Sequence, residues 1–208
     1  MTLESRLAAG LAEMDLQVDV ATRERLIAYL RLIEKWNNVH NLTAIRDTEQ
    51  MVVLHLLDSL SVLPHVGAAR TLLDVGSGAG LPGVPLAIVN RDLRVTVLDS
   101  SHKKAAFLAQ AKAELAPDNL EVVCQRVEQW RPGAKFDLVV SRAFADLTDF
   151  VALARHVVKP GGAMLAMKGV HPLEEIARLP GSHRIERVVE LHVPTLGAQR
   201  HLVFLRAA

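Results

Sequence analysis

The sequence has little cysteine and no long apolar run. It contains one cysteine, Cys124, which excludes a disulfide within the chain and a cysteine-rich zinc site. Its nine histidines are scattered without the H-x-x-x-H or H-E-x-x-H spacing of metal sites, so no metal site is predicted. No segment offers about 18 uncharged apolar residues for a membrane span, and Glu4 and Arg6 interrupt any leader-like run at the start. These features predict a cytoplasmic protein.

The sequence also lacks an excess of charge of either sign. Lysine and arginine number 24 against 23 aspartates and glutamates, which gives a formal net charge of +1. This balance excludes a globally basic nucleic-acid binder, but it leaves room for a local basic surface.

The chain is nevertheless rich enough in apolar residues to fold. Half of its 208 residues are hydrophobic, enough for one well-buried α/β domain with a small extension. Residues 1–66 read as an N-terminal helical extension packed on a core of residues 67–208. Within the extension, Thr22 is the expected N-cap of one helix, and a second helix is expected over 48–63.

From residue 71 onward, strand and helix patterns alternate. Repeated β-α units predict a mostly parallel sheet with helices on both faces. The last two strands, at 184–193 and 201–205, flank a turn-rich segment and predict an antiparallel hairpin that closes the sheet. The preceding strands are expected at 71–75, 94–99, 120–124, 136–141 and 162–167.

A glycine-rich turn follows the first of these strands. Gly76, Gly78 and Gly80 allow a sharp turn and a close approach of a ligand, because glycine has no Cβ. Free N–H groups at the start of the next helix favour a carboxylate or phosphate. The segment Thr71–Gly83 therefore predicts a site for a nucleotide-like ligand.

Two cofactors fit this turn. The spacing of Gly78, Gly80 and Gly83 matches a dinucleotide fingerprint, with Asp99 about twenty residues on, as in an NAD-dependent oxidoreductase. The form Asp74-Val-Gly-Ser-Gly-Ala-Gly instead resembles the first motif of S-adenosylmethionine-dependent methyltransferases, in which Asp99 would hold the ribose hydroxyls. The C-terminal hairpin favours the class I methyltransferase fold, which is Rossmann-like, because a dinucleotide domain is expected to end on a sixth parallel strand.

Further candidate residues follow the third and fourth strands. The Val127 N–H and the Glu128 carboxylate are positioned to read an adenine edge. Arg142 is the best candidate for a residue near the acceptor or the methionine carboxylate of the cofactor, and Phe144 for stacking on a base.

The acceptor chemistry is indicated by what the fourth strand end lacks. Ser141-Arg142-Ala143-Phe144 is not the Asn- or Asp-Pro-Pro-aromatic turn typical of adenine N-methylation. Pyrimidine C5 methylation requires an exposed cysteine, whereas Cys124 is expected late in a buried strand. An acceptor that is already nucleophilic, such as guanine N7, needs no general base, so alignment would carry the catalysis.

Motifs along nearly the whole chain resemble the glucose-inhibited division protein B family, the bacterial 16S ribosomal RNA N7-guanine methyltransferases. They are Lys35-Trp36-Asn37, Asn41-Leu42-Thr43, Arg46-Asp47, His55–Ser59, Asp74–Gly83, Arg126-Val127-Glu128, Ser141–Phe144 and Lys168-Gly169. The resemblance implies methyl transfer from S-adenosylmethionine to a guanine in the decoding-region loop of 16S rRNA. It implies cofactor contacts at Gly76, Leu81, Val127, Glu128 and Arg142. Two further cofactor contacts are expected from the residues themselves, at Gly78 in the turn and at Asp99 at the end of the second strand.

The substrate implied by the resemblance is 16S ribosomal RNA or the small ribosomal subunit, bound by a monomer. Because the net charge is +1, cations must gather where RNA enters the site. The expected RNA contacts are Arg46, Arg142, Phe144, Lys168 and Arg200. An RNA-binding module that senses a ligand without turnover is a third, weaker alternative.

Overall fold

The computed structural model describes residues 2–115, 117–142, 144, 146–179 and 181–207. Two long helices open the chain, α1 (Leu3–Glu13) and α2 (Val20–His40). A further helical segment runs through α3 (Thr48–Met51), a π-helical stretch (Val52–Leu57) and α4 (Asp58–Leu60), with a 3-10 turn at Leu63–His65. The later helices are α5 (Gly83–Val89), α6 (His102–Leu115), α7 (Leu147–Ala154), a 3-10 turn at Arg155–Val157, and α8 (Leu173–Ala177).

Seven strands form one sheet in the order β3-β2-β1-β4-β5-β7-β6. Pairing is parallel from β3 to β5, and β7 runs antiparallel to both β5 and β6. The C-terminal hairpin predicted from the sequence is therefore confirmed. The strands are β1 (Thr71–Val75), β2 (Arg94–Leu98), β3 (Leu120–Val123), β4 (Phe136–Ser141), β5 (Val158–Lys168), β6 (His183–Glu190) and β7 (His201–Ala207).

The N-terminal helices share one hydrophobic core with the sheet. Leu26, Leu30 and Ile33, spaced three and four residues apart on α2, are fully buried in a cluster that also contains residues of α5, α6 and the sheet. The division into residues 1–66 and 67–208 stays a prediction, since the helices and the sheet are packed through this common cluster. On the opposite face of the sheet, α7 buries Phe150 and Val151 in a second cluster.

Local structure departs from the sequence-based expectations at three places. The N-cap of α2 is Asp19, whose carboxylate accepts the Thr22 N–H at 2.8 Å, so the assignment of the cap to Thr22 was wrong. The expected helix over 48–63 forms, but its middle is π-helical. Cys124 is half-buried just beyond the end of the edge strand β3, with its Sγ 3.4 Å from His102 Nδ1, and it is not a core residue.

Among the described residues, no helix is both long and apolar enough to cross a membrane.

Candidate functional site

The glycine-rich turn lies at the carboxyl end of β1. Gly76, Gly78 and Gly80 all have positive φ angles, of 69°, 61° and 88°. The Gly76 and Ser77 N–H groups both donate to the Leu98 carbonyl, at 2.8 and 3.1 Å, and so fold the turn back onto the end of β2. A Cβ on Gly80 would lie 2.5 Å from Val84 Cγ2, whereas one on Gly78 would meet only the Gly76 carbonyl at 4.0 Å. Gly78 thus leaves open space above the turn, where a ligand can approach the backbone.

Asp99 is held in a fixed orientation beside this turn. Its Oδ2 accepts the Gly78 N–H at 2.9 Å, and its Oδ1 accepts the Ser101 N–H at 2.9 Å. Lys104 Nζ lies 3.6 Å from Oδ2. Each carboxylate oxygen can accept a further hydrogen bond, so Asp99 retains capacity for two ligand hydroxyls.

Asp99 lines a cavity of about 330 Å³, which we call the donor cavity. This volume falls in the range of small-molecule sites. Its walls come from the carboxyl ends of β1, β2 and β3 and from the segment after β4, as expected for a ligand site in an open parallel sheet. The lining residues include Gly76, Asp99, Lys104, Val127, Glu128 and Phe144.

A second cavity of about 200 Å³, the acceptor cavity, adjoins the same turn. Gly76 lines both cavities, so the two meet at the turn. Leu42 and Thr43 contribute from the loop after α2, and Arg142 from the end of β4. Of the residues predicted to bind the cofactor, Gly76, Gly78, Leu81 and Arg142 line this cavity, whereas Asp99, Val127 and Glu128 line the donor cavity. The sequence did not identify Leu42 and Thr43 as part of the wall.

A buried carboxylate holds Arg142 at the acceptor cavity. Asp58, whose side chain is 2% exposed, accepts from Arg142 Nη1 at 3.0 Å through Oδ2 and from Arg200 Nε at 2.8 Å through Oδ1. Arg142 Nη1 also donates to the Leu54 carbonyl at 3.1 Å. Arg142 and Arg200 are 31% and 22% exposed, so each retains donors that face solvent. Sequence reasoning gave Asp58 no role, although an acid within the apolar run His55–Ser59 was a usable signal.

The N-terminal helices reach the turn directly. The hydroxyl of the fully buried Tyr29 donates to the Ala79 carbonyl. Burial raises the pKa of Tyr29 well above its ordinary value, so it stays a neutral donor. The helical extension therefore supports the backbone on which the ligand would rest.

Asp74 lies beneath the turn and does not line either cavity. Its Oδ2 accepts the Gly83 N–H at 2.8 Å, while its Oδ1 has no hydrogen-bond partner among the described residues. Burial raises the pKa of Asp74 to about 7, against the opposing effects of the Gly83 N–H and Arg142. This acid anchors the start of α5 to β1. Close by, burial lowers the pKa of His55 to about 4, so this ring is neutral next to Arg142.

The other residues expected to contact RNA are engaged within the protein. Arg46 donates to the Asn37 carbonyl and to Asn41 Oδ1 across the loop after α2. Lys168, 10% exposed, donates to Glu175 at 2.7 Å and to the Phe144 carbonyl at 3.2 Å.

Phe144 packs its ring 5.1 Å from that of Phe150 and faces the donor cavity. Ala143 of the same motif lies outside the described residues. Contact of Phe144 and of the four cations with RNA stays a prediction.

Comparison with known families decides between the two cofactors. The family model GidB, described as rRNA small subunit methyltransferase G, matches residues 22–203. The chain belongs to the GidB family. The match covers both cavities and most of the helical extension, and it favours methyl transfer over the NAD-dependent alternative based on Gly78, Gly80 and Gly83.

Curated relatives within the GidB family match at high identity. A protein of Burkholderia pseudomallei (strain 1106a), named ribosomal RNA small subunit methyltransferase G, is 56% identical over 209 residues, covering 97% of this chain and 90% of that protein. A protein of the same name from Aromatoleum aromaticum is 55% identical over 203 residues and covers 96% of both chains.

Solved structures support the fold of this GidB chain. The O-methyltransferase TomG from Streptomyces achromogenes, in complex with SAM, aligns with a TM-score of 0.64 at 19% identity over 100% of both chains. The O-methyltransferase from Bacillus cereus, in complex with SAH, aligns with a TM-score of 0.60 at 16% identity over 100% of both chains. The fold is that of the class I methyltransferases, as predicted.

The cofactor of this GidB chain is S-adenosylmethionine, and the geometry of the donor cavity fits it. Asp99 has free acceptor positions for a ribose diol, and Gly78 leaves open space where the backbone meets the ligand. Val127 and Glu128 line the same cavity, and we propose that they contact the adenine. We assign these residues to the cofactor as a proposal, together with Gly76, Leu81 and Arg142.

Proposed function

We propose that this protein transfers a methyl group from S-adenosylmethionine to N7 of a guanine in the decoding-region loop of 16S ribosomal RNA. The observation that carries this proposal is that the two cavities meet at Gly76. The donor cavity contains the Asp99 carboxylate, a hydrogen-bond acceptor held in a fixed orientation, and the acceptor cavity contains Arg142. Membership in a family described as rRNA small subunit methyltransferase supports the class of substrate.

The lining of the acceptor cavity supports an acceptor that needs no deprotonation. Among its described lining residues the one ionisable side chain is Arg142, whose guanidinium donates hydrogen bonds and has no acceptor to take a proton. Guanine N7 carries a lone pair and no proton, so its methylation requires no general base. Methylation of an exocyclic amine would instead benefit from a side chain beside the cofactor that can accept the proton of the amine.

The roles of the protein are to bind, orient and exclude water. The bound cofactor supplies an activated methyl group on its sulfonium. Asp99 fixes the ribose, and the turn at 76–80 fixes the direction of the methyl donor. Arg142, oriented by Asp58, is positioned to donate to guanine O6, the acceptor next to N7 in the major-groove edge of the base. Alignment of donor and acceptor is then the main source of rate acceleration.

The test of this chemistry is direct analysis of the product. Purified protein is incubated with S-adenosylmethionine and either 16S rRNA or small subunits, and the digested RNA is examined by mass spectrometry for N7-methylguanine. Cys124→Ser should give the same product at a similar rate, because N7 attack forms no covalent enzyme intermediate. A methylated pyrimidine, or loss of activity in a folded, cofactor-binding Cys124→Ser protein, would contradict the proposal. Cofactor binding without any turnover would favour the ligand-sensing alternative.

We further propose that the protein works in the cytoplasm as a monomer. The large apolar side chains exposed among the described residues are few and lie at three separate places, around Val20, Val39 and Val170–Leu173. Such scattered residues do not form the contiguous apolar patch of an obligate interface. Light scattering on the purified protein measures the mass and tests this point.

A further inference from the structure

Two further cavities lie at the amino ends of the parallel strands, opposite to the cofactor. They have volumes of about 440 and 390 Å³ and flank the irregular first part of β5, Lys159–Gly162, near the amino end of β4. Leu138, Ala163 and Phe204 line one cavity, and Val158, Met164 and Leu205 line the other. Because neighbouring strand residues point to opposite faces, the two cavities open on the two faces of the sheet around one rim.

This rim, which we call the basic rim, concentrates positive charge. Its charged side chains are six cations and two carboxylates, an excess of four, whereas the whole chain has an excess of one. Two cations are paired, Lys159 with Asp137 and Arg206 with Glu186. The other four are exposed and make no ion pair within 4 Å among the described residues, although the charges of Arg184 and Arg187 also act on Glu186: Lys135, Arg155, Arg184 and Arg187.

The guanidinium groups act on the same small region. Burial, and then Arg155, lowers the pKa of His183, while burial, and then Arg187, lowers that of His65. The Arg187 guanidinium also lies 4.1 Å from the centre of the Phe204 ring, which holds it over the mouth of one cavity. Arg187 is therefore partly fixed in position, which reduces the entropy lost when it binds an anion.

We propose that the basic rim is a second RNA-binding surface, which holds phosphates of a part of the substrate RNA distant from the target guanine. This inference rests on the proposed function. Arginine forks suit phosphate oxygens, and phosphate contacts position a nucleic acid without reading its sequence.

The geometry of the sheet sets the length of RNA that is required. The six residues of β4 separate the rim from Arg142. At about 3.3 Å per residue, the two surfaces lie roughly 20 Å apart. RNA that reaches both must therefore pass along the protein, and a short loop oligonucleotide would reach only the acceptor cavity.

The test uses the double variant Arg155→Gln/Arg184→Gln of the full chain. Both side chains are exposed and make no ion pair, so the fold should be unaffected. Its matched control is Arg91→Gln/Lys112→Gln, which removes the same charge from exposed positions on α6 and beside β2, on the other half of the sheet. Binding of 16S rRNA and of small subunits is measured over a salt series, together with cofactor affinity and methyl transfer.

We expect the rim variant to bind rRNA about tenfold more weakly at 0.1 M salt, with a log–log salt slope flatter by about one to two. Cofactor affinity and kcat at saturating RNA should be unchanged, and KM for long RNA should rise. A short loop oligonucleotide should bind native and variant proteins equally.

Three outcomes would overturn the inference: native-like rRNA binding at every salt concentration, an equal loss in the control variant, or a loss seen on subunits but not on rRNA. The last outcome would assign the rim to a ribosomal protein. The proposed function is tested separately, on the native protein without any substitution. Failure of that protein to methylate rRNA would refute the proposed function instead.

Discussion

Replacing Asp58 by asparagine should uncouple Arg142 from the acceptor cavity. The Asp58 carboxylate is almost fully buried, and each of its oxygens accepts one charge-assisted hydrogen bond, from Arg142 and from Arg200. Asparagine keeps the shape but removes the negative charge, and its amide group turns donors towards at least one guanidinium. The substitution therefore leaves two partly buried cations without their shared counter-charge.

The magnitude follows from the burial of the three groups. Breaking a fully buried ion pair by removing one partner costs about 3–5 kcal/mol. Arg142 and Arg200 are 31% and 22% exposed, so both regain some hydration, and we expect a loss of about 2–3 kcal/mol in the free energy of unfolding. For a chain of this length, that corresponds to a fall in Tm of roughly 4–12 °C.

The substitution should also lower the activity of the folded protein. A misplacement of about 1 Å in a positioning group can lower the rate about a hundredfold. At a temperature below the melting range, where the variant is folded, methyl transfer should therefore be at least tenfold slower than in the native protein. The control is Glu4→Gln, which breaks the exposed Glu4–Arg31 pair and should cost at most about 1 kcal/mol without changing activity. Thermal unfolding and single-turnover methyl transfer are the assays. An Asp58→Asn protein that melts and turns over like the native protein would refute the role assigned to this carboxylate.

Three further substitutions test Asp99 at the cofactor site and the residues that support the glycine-rich turn, Tyr29 and Asp74. Asp99→Ala should weaken S-adenosylmethionine binding by about 1–3 kcal/mol in a calorimetric titration, and unchanged affinity would remove Asp99 from the site. Tyr29→Phe leaves the buried Ala79 carbonyl without its donor, so stability should fall by about 1–3 kcal/mol and cofactor affinity with it; an unchanged affinity would separate the helices from the turn. Asp74 keeps its proton in the native state up to about pH 7 but loses it near pH 4 when unfolded, so raising the pH favours unfolding. Between pH 5 and pH 8 the native protein should therefore lose about 3 kcal/mol more stability to urea than Asp74→Asn, and parallel pH profiles would contradict the raised pKa.

The main elements were predictable because their signals are local. β1 and β4 are short apolar runs bounded by turn residues, so both were placed at their observed bounds. The glycine turn and Asp99 follow from the rule that ligands bind at the carboxyl ends of parallel strands. The position of a strand at the edge of a sheet cannot be predicted from the residues of that strand. Nothing in the sequence of β3 shows that it pairs on one side only, so the exposure of Cys124 was missed.

The acceptor side was harder to predict because its contacts span long stretches of chain. Asp58 lies 84 residues from Arg142 and 142 from Arg200, and no spacing rule connects them. The sequence predicts RNA contacts for both arginines, and a cofactor contact for Arg142, but it did not predict that one carboxylate joins them. Unpaired cations gather instead at the basic rim, where residues from four separate elements and their flanking turns meet.

The position of β7 has a consequence for the order in which the protein acquires its function. This strand, the last one described, is inserted between β5 and β6, and Arg200 just before it completes the pair of cations on Asp58. During synthesis the helices and β1–β5 emerge first and can begin to pack, but β6 has no neighbour until residues 201–207 have left the ribosome. A nascent chain would therefore expose the edge of β5 and leave Asp58 without its second cation, Arg200. The enzyme can become active only after β7 has left the ribosome. Each molecule is therefore inactive while its own synthesis is under way.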